Sequence, residues 1–305
     1  MWHLLAVTAL IGVTLCAFYF WLGNMWNFRS LILIILMSVN FFAGAQITDF
    51  ASRHESFNTD SIIRDFDRRP FFTLYKDNYF VTGTELSQKP TRFNSDVKFQ
   101  VSFSQRLTKT VLPWNTYLYL FYSQKTMWNV FEESLPLHDI NFNPGIGLSK
   151  LIISKGRLIG KASFIIEHES NGRDGEASRS WNKVSLTGSV FILPDLMIHG
   201  KIWIPIIDGQ NNKDILSYSG IFQGGIQYLS TNKRWVVDAT FVKRRGWNLH
   251  FNTTVNVGFR LGKQANQFLM LHFYDGYGED LLDYNKYHCR LRIGLLIRPT
   301  FFSDF

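Results

Sequence analysis

Beyond residue 46 the chain never stays apolar for long. Segments of about ten residues alternate apolar and polar positions, and turn residues separate them. A period of two puts the apolar side chains of an extended segment on one face. Twelve segments carry the pattern: 71–83, 96–108, 116–128, 142–153, 160–170, 180–192, 196–206, 219–230, 234–244, 248–259, 267–278 and 287–298. A strand that crosses a bilayer needs about 9–11 residues, and an even number of strands lets an antiparallel sheet close. The pattern therefore predicts an all-β chain, a twelve-stranded antiparallel transmembrane β-barrel over residues 71–305. Residues 46–70 are polar and are expected to cover or plug the periplasmic side. A soluble β-sandwich or a lipocalin-like barrel is the alternative architecture.

The connections support the barrel. With both termini periplasmic, stretches near 84–95, 129–141, 171–179, 207–218 and 279–286 become outer loops. Opposite them lie short turns such as Leu193-Pro194-Asp195 and Thr231-Asn232-Lys233. Long outer loops and short inner turns are usual for such barrels. The connection at 245–247 is a short exception.

The N-terminus follows another rule. From Met25 a charged start, MWNFRS, leads into the apolar run LILIILMSVNFFA and then small residues at Ala43 and Ala45. This reads as a secretory signal over 25–45, cleaved after Ala45. Residues 1–24 are a further apolar stretch without Lys or Arg. They are either an over-extended start ahead of Met25 or an anchor, and both readings stay open within a leader of 1–45.

Composition sharpens the picture. The chain holds 28 Phe, 12 Tyr and 9 Trp, yet mean hydropathy is −0.04. Such fine mixing of aromatic and polar residues suits amphipathic strands better than membrane helices. Without the leader, 31 basic residues face 24 acidic ones, a net charge of +7. That charge suits anionic headgroups or merely keeps loops soluble. Its dispersal along an exported chain argues against a nucleic-acid partner. Cys289 is the only cysteine after the leader, which excludes an internal disulfide.

The chemistry concentrates at Ile165-Ile166-Glu167-His168-Glu169-Ser170 and the segment that follows. Phe164, Ile166, His168 and Ser170 share one strand face, predicted to look at lipid. Glu167 and Glu169 share the other. On the next strand Asn182 shares its parity with Val184, Leu186 and Val190. Three polar side chains thus converge on a lipid-facing wall. Such a placement is costly unless the groups bond one another. A nucleophile, a base and an orienter do so: Ser170 attacks a carbonyl carbon, His168 takes its proton, and Asn182 fixes the imidazole tautomer. Taken alone, His-x-Ser is common in chains of this size, and a histidine at a barrel rim is often interfacial.

Longer motifs surround these residues. His168-Glu169-Ser170-Asn171-Gly172-Arg173 is followed by Ser178-Arg179-Ser180-Trp181-Asn182. Upstream stands Tyr122-Ser123-Gln124-Lys125-Thr126-Met127-Trp128, and near the end Gly276-Tyr277-Gly278-Glu279-Asp280-Leu281-Leu282-Asp283-Tyr284-Asn285. Together, over roughly residues 70–305, they resemble the bacterial outer membrane phospholipase A family. The closing Phe305 resembles an outer-membrane assembly signal. The resemblance implies calcium-dependent hydrolysis of phospholipid and lysophospholipid acyl esters at either glycerol position, activated by homodimerisation. It implies an oxyanion donor at the Gly172 N–H. It implies calcium ligands at the Arg173 carbonyl, the Ser178 side chain and Ser134 of a second protomer, and Gln124 at the dimer interface. Two positions depart from the family pattern. Gly175 stands where the family commonly has an acid, and a single Ser134, followed by Leu135, replaces a frequent serine pair. The rival function is a non-enzymatic porin or transport barrel. A lipid-A-modifying enzyme would use similar chemistry, but the composite motif favours phospholipid.

Overall fold

The structure is a computed structural model and describes residues 59–298 apart from 109–110, 247 and 264. The leader and the terminal Phe305 lie outside the described residues. Alternating patterns become strands throughout: β1 (Phe72–Leu74), β2 (Asn78–Glu85), β3 (Ser95–Arg106), β4 (Thr116–Trp128), β5 (Leu137–Ser154), β6 (Arg157–Ser170) and β7 (Ser180–Leu193). The second half adds β8 (Leu196–Ile206), β9 (Phe222–Leu229), β10 (Trp235–Lys243), β11 (Phe251–Arg260), β12 (Gln267–Gly276) and β13 (His288–Ile297). From β2 onward each strand pairs antiparallel with its sequence neighbour. The ring closes where β13 meets β2, with Leu296 opposite Tyr79. Both β1 and β2 pair with β3 and are pieces of one strand interrupted at residues 75–77, so thirteen segments make a twelve-stranded barrel.

Among the described residues no helix is long and apolar enough to cross a membrane. Helix α1 (Thr59–Asp67) sits at the short-turn end. Arg106, the last residue of β3, donates to the Phe66, Asp67 and Arg69 carbonyls at 3.2, 2.9 and 3.3 Å. The Phe66 and Asp67 carbonyls belong to the last turn, where a helix lacks intrahelical partners for its carbonyls, and Phe66 also accepts from the Arg69 N–H at 3.1 Å. Turns 155–156, 194–195, 230–234 and 261–266 lie at this end, as does the longer 107–115. Loops 86–94, 129–136, 171–179, 207–221, 244–250 and 277–287 lie at the other. Two expectations need adjusting. Strand β5 begins at Leu137 rather than 142, its polar start being held by partners inside the barrel, and the 244–250 loop is not short.

Much of the interior is polar, alongside apolar clusters such as Val81, Leu229, Val236, Phe268, Met270 and Leu296. On β6, Ile166 is 52% exposed while the next residue, Glu167, is 6% exposed. That inversion of a soluble protein's pattern is what a lipid-bathed barrel with a filled lumen requires. Lys201 pairs with Glu167 at 2.5 Å and Lys183 with Glu169 at 2.6 Å, tying β6, β7 and β8 together from within. On the opposite side, Arg292 donates to Asp96 at 2.6 and 2.8 Å and to Glu279 at 2.6 Å. Burial works against the Glu279 carboxylate. Arg292, Lys98 and Arg290 overrule it and hold this loop residue well below the usual carboxylate range. Arg292→Ala would leave two buried carboxylates short of their main partner. We expect it to cost about 3–5 kcal/mol of barrel stability. Thermal unfolding in detergent checks this, and a change under 1 kcal/mol would contradict it.

Candidate functional site

The site forms where β6 and β7 end at the long-loop rim. His168 lies directly opposite Asn182, and Ser170 opposite Ser180. His168 Nδ1 and Asn182 Oδ1 are 2.8 Å apart, a hydrogen bond in which the ring N–H donates to the amide oxygen. Ser170 shares this face, two residues on. Among the described residues no hydrogen bond joins its hydroxyl to the ring. Catalytic contacts of this kind often tighten only around substrate. The sequence order thus brings His168 and Asn182 into contact and places Ser170 beside them.

The other neighbour of β6 is β5. Opposite His168 the ladder passes over residues 143–144. Pro144 has no N–H to give, and the His168 carbonyl accepts from Asn143 Nδ2 at 2.8 Å instead. Phe142 then pairs with Ser170. Gln124 pairs with Phe142 from β4, so Gln124, Phe142, Ser170 and Ser180 form one row across four strands. Gln124 therefore faces outward with the catalytic candidates. Its amide is held by Tyr122 at 2.9 Å and Thr126 at 3.3 Å.

The loop after Ser170 is shaped by Asn171, which is buried. Its side chain donates to the Ala177 carbonyl at 2.9 Å and accepts from the Arg179 N–H at 2.9 Å. The two ends of the loop are thereby drawn together, and both the Arg173 carbonyl and Ser178 belong to the same small turn. Gly172 has φ +65°, and a Cβ there would come within 2.9 Å of the Phe142 ring. Glycine suits both conditions. The Arg173 guanidinium reaches the Leu137 carbonyl at 3.4 Å and bridges to the start of β5. Ser134 and Leu135 both take positive φ, 65° and 47°, at the exposed tip of the 129–136 loop. Within one chain no hydrogen bond brings Ser134 to the 171–179 loop among the described residues.

One polar residue escaped the sequence reading. Asp208, just beyond β8, accepts from Asn182 Nδ2 at 2.8 Å and from Ser180 Oγ at 3.1 Å. Its signal was available: the outward row Ile202, Ile204, Ile206 ends in an acid at the same parity.

The family model for Phospholipase A1 matches residues 61–297, most of the chain. The chain belongs to the phospholipase A1 family. It is accordingly a phospholipid-ester hydrolase and a bacterial outer-membrane β-barrel. Phospholipase A1 of Escherichia coli (strain K12) is 28% identical over 213 residues, 68% of this chain and 71% of its own. Phospholipase A1 of Klebsiella pneumoniae is 24% identical over 256 residues, 79% of this chain and 87% of its own. Among solved structures, the Salmonella typhi outer membrane phospholipase, a dimer with bound calcium, matches with a TM-score of 0.67 at 26% identity. That match covers 79% of this chain and 98% of the other. Outer membrane phospholipase A from Escherichia coli shares the fold with a TM-score of 0.65 at 24% identity, covering 75% and 94%. In this phospholipase His168, Ser170 and Asn182 lie at the long-loop rim, on the face that carries the exposed Ile166 and Leu186.

Proposed function

We propose that this member of the family hydrolyses phospholipid and lysophospholipid acyl esters with Ser170 as nucleophile, His168 as general base and acid, and Asn182 as orienter. The observation that carries the reading is the 2.8 Å contact between the imidazole Nδ1 and the Asn182 amide oxygen. That bond commits the ring proton to Nδ1 and leaves the Nε2 lone pair free for Ser170. Ser170 Oγ attacks the ester carbonyl carbon as Nε2 takes the hydroxyl proton. The carbonyl oxygen becomes an oxyanion, and the Gly172 N–H is suited to receive it. On collapse the ester C–O bond breaks, and the departing glycerol alkoxide takes the proton from Nε2. Water, deprotonated by the same nitrogen, then cleaves the acyl-serine and releases a fatty acid.

Calcium suits the oxygens gathered here. The Arg173 carbonyl, the Ser178 hydroxyl and Ser134 from a second copy are hard oxygen donors of the kind this ion accepts. Among the described residues no cluster of three or more His, Cys, Asp or Glu competes as a metal site. When bound, the ion would lend positive charge to the carbonyl oxygen under attack. The row that runs from Ser170 through Phe142 to Gln124 also favours a homodimer packed on this wall, with the acyl chain between the two copies.

The test uses the refolded chain in mixed micelles of phospholipid and detergent. We expect fatty-acid release, and covalent labelling of Ser170 by an alkyl fluorophosphonate that disappears in His168→Ala. Hydrolysis with no label on Ser170 would overturn the assignment.

A further inference from the structure

We propose that Asp208 is a positioning residue of the hydrolytic site, the fourth member of a relay Ser170–His168–Asn182–Asp208. The inference rests on the reading of Ser170 and His168 given above and extends it by one residue.

An asparagine is an ambiguous orienter. Its amide presents an accepting oxygen at one end and a donating NH₂ at the other, and a half-turn exchanges them. With NH₂ toward the ring, Nδ1 would have to accept, the proton would sit on Nε2, and the base would be lost. A carboxylate removes the ambiguity because it can only accept. Asp208 Oδ2 lies 2.8 Å from one end of the Asn182 amide. That end must therefore be NH₂, and the end facing His168, 2.8 Å from Nδ1, must be the carbonyl. The Nδ1–H tautomer follows, and with it a free Nε2. The chain of logic runs from an exposed loop carboxylate to the protonation state of the catalytic imidazole.

The loop is built to hold that carboxylate in place. Asn182 pairs with Ile206 on β8, and Asp208 follows two residues later on the same face. Ser180, on the row next to Asn182, donates its hydroxyl to the second carboxylate oxygen at 3.1 Å, so both oxygens are engaged. Asn212, fully buried, donates to the Ser180 carbonyl at 2.9 Å and accepts from the Ser180 N–H at 3.4 Å. Residue 209 must be small for this packing. A Cβ at Gly209 would overlap the Asn212 side chain and approach the Ser180 carbonyl oxygen to 2.6 Å. Asp208 is thus bracketed between the end of β8 and a buried asparagine clamp on β7.

A double-mutant cycle tests the proposal. Asp208→Ala should lower kcat about tenfold with KM unchanged, since a misdirected amide spoils orientation and not binding. In the Asn182→Ala background the same change should have no further effect, because no amide remains to be oriented. Asp208→Asn keeps an accepting oxygen and the packing of the loop. It should fall less than Asp208→Ala and guards the cycle if the alanine variant assembles poorly. A fall in kcat that persists undiminished in Asn182→Ala would assign Asp208 a merely structural role and overturn the inference. So would wild-type kcat in Asp208→Ala. Ser170→Ala is measured alongside: residual full activity there would mean that the site itself has been misread, a separate failure.

Discussion

Ser170→Ala is expected to abolish ester hydrolysis, with a loss in kcat on the order of 10⁵-fold. The oxygen that attacks the ester is removed, and no neighbouring group on the outward row can replace it: Phe142 stands on one side and Ser180, engaged with Asp208, on the other. His168→Ala should cost nearly as much, because the hydroxyl then keeps its proton. The double variant should be no worse than either single one, since residues that act as a unit lose their effect together. Assembly should be untouched. Ser170 ends β6 on the lipid side, while the contacts that fix this part of the barrel lie on the lumen side at Glu167, Glu169, Lys183 and Lys201. Fatty-acid release from micelles measures the first expectation, and the shift of the folded barrel on unheated gels measures the second. Activity in Ser170→Ala within tenfold of the wild type would remove the serine mechanism.

Much of this was legible in sequence because strand geometry is a parity rule. Once residues 160–170 and 180–192 are read as neighbouring strands, Ile166, His168 and Ser170 must share a face, and the exposed Ile166 beside the buried Glu167 bears that out. The hydrogen bond from His168 to Asn182 is a matter of register, which the hairpin supplies. Two things resisted. The first is irregularity. The break at residues 75–77 divides one strand into two, and the pass over Pro144 is repaired by Asn143, neither of which a period of two can express. The second is a contact made by a loop. Asp208 reaches Asn182 because Asn212 and Gly209 fold the 207–221 loop back over Ser180. No spacing rule anticipates that. Sequence parity could suggest Asp208 as an acid closing an isoleucine row, but not what it touches.

Removing calcium is expected to abolish activity and to dissociate the dimer together. A single copy offers the acyl chain little on its own. The wall around Ser170 is convex and carries exposed Ile146, Phe164, Ile166 and Leu186. The cavities lined by Lys98, His272 and Glu279, and by Ser123, Glu169 and Lys183, are lumenal and lie behind the strand from the nucleophile. A second copy laid against the Gln124 row would turn the wall into a cleft. It would also bring its Ser134 loop toward the Arg173 carbonyl and Ser178. The ion would then bind tightly only where two copies meet. If so, coupling is reciprocal: whatever factor calcium contributes to dimerisation, dimerisation returns to calcium affinity. A coupling of about 1–3 kcal/mol is typical of such linkage. Loss of even one oxyanion-hole donor typically costs on the order of 10²–10³ in rate. Such an arrangement keeps an esterase embedded in its own substrate idle until copies are brought together. Sedimentation in detergent at graded free calcium, with fatty-acid release measured on the same samples, follows both quantities. We expect chelator to lower dimer fraction and rate in parallel, and calcium to restore both at one midpoint. A chain that remains monomeric and fully active in excess chelator would refute the coupling, even with Ser170 established as the nucleophile.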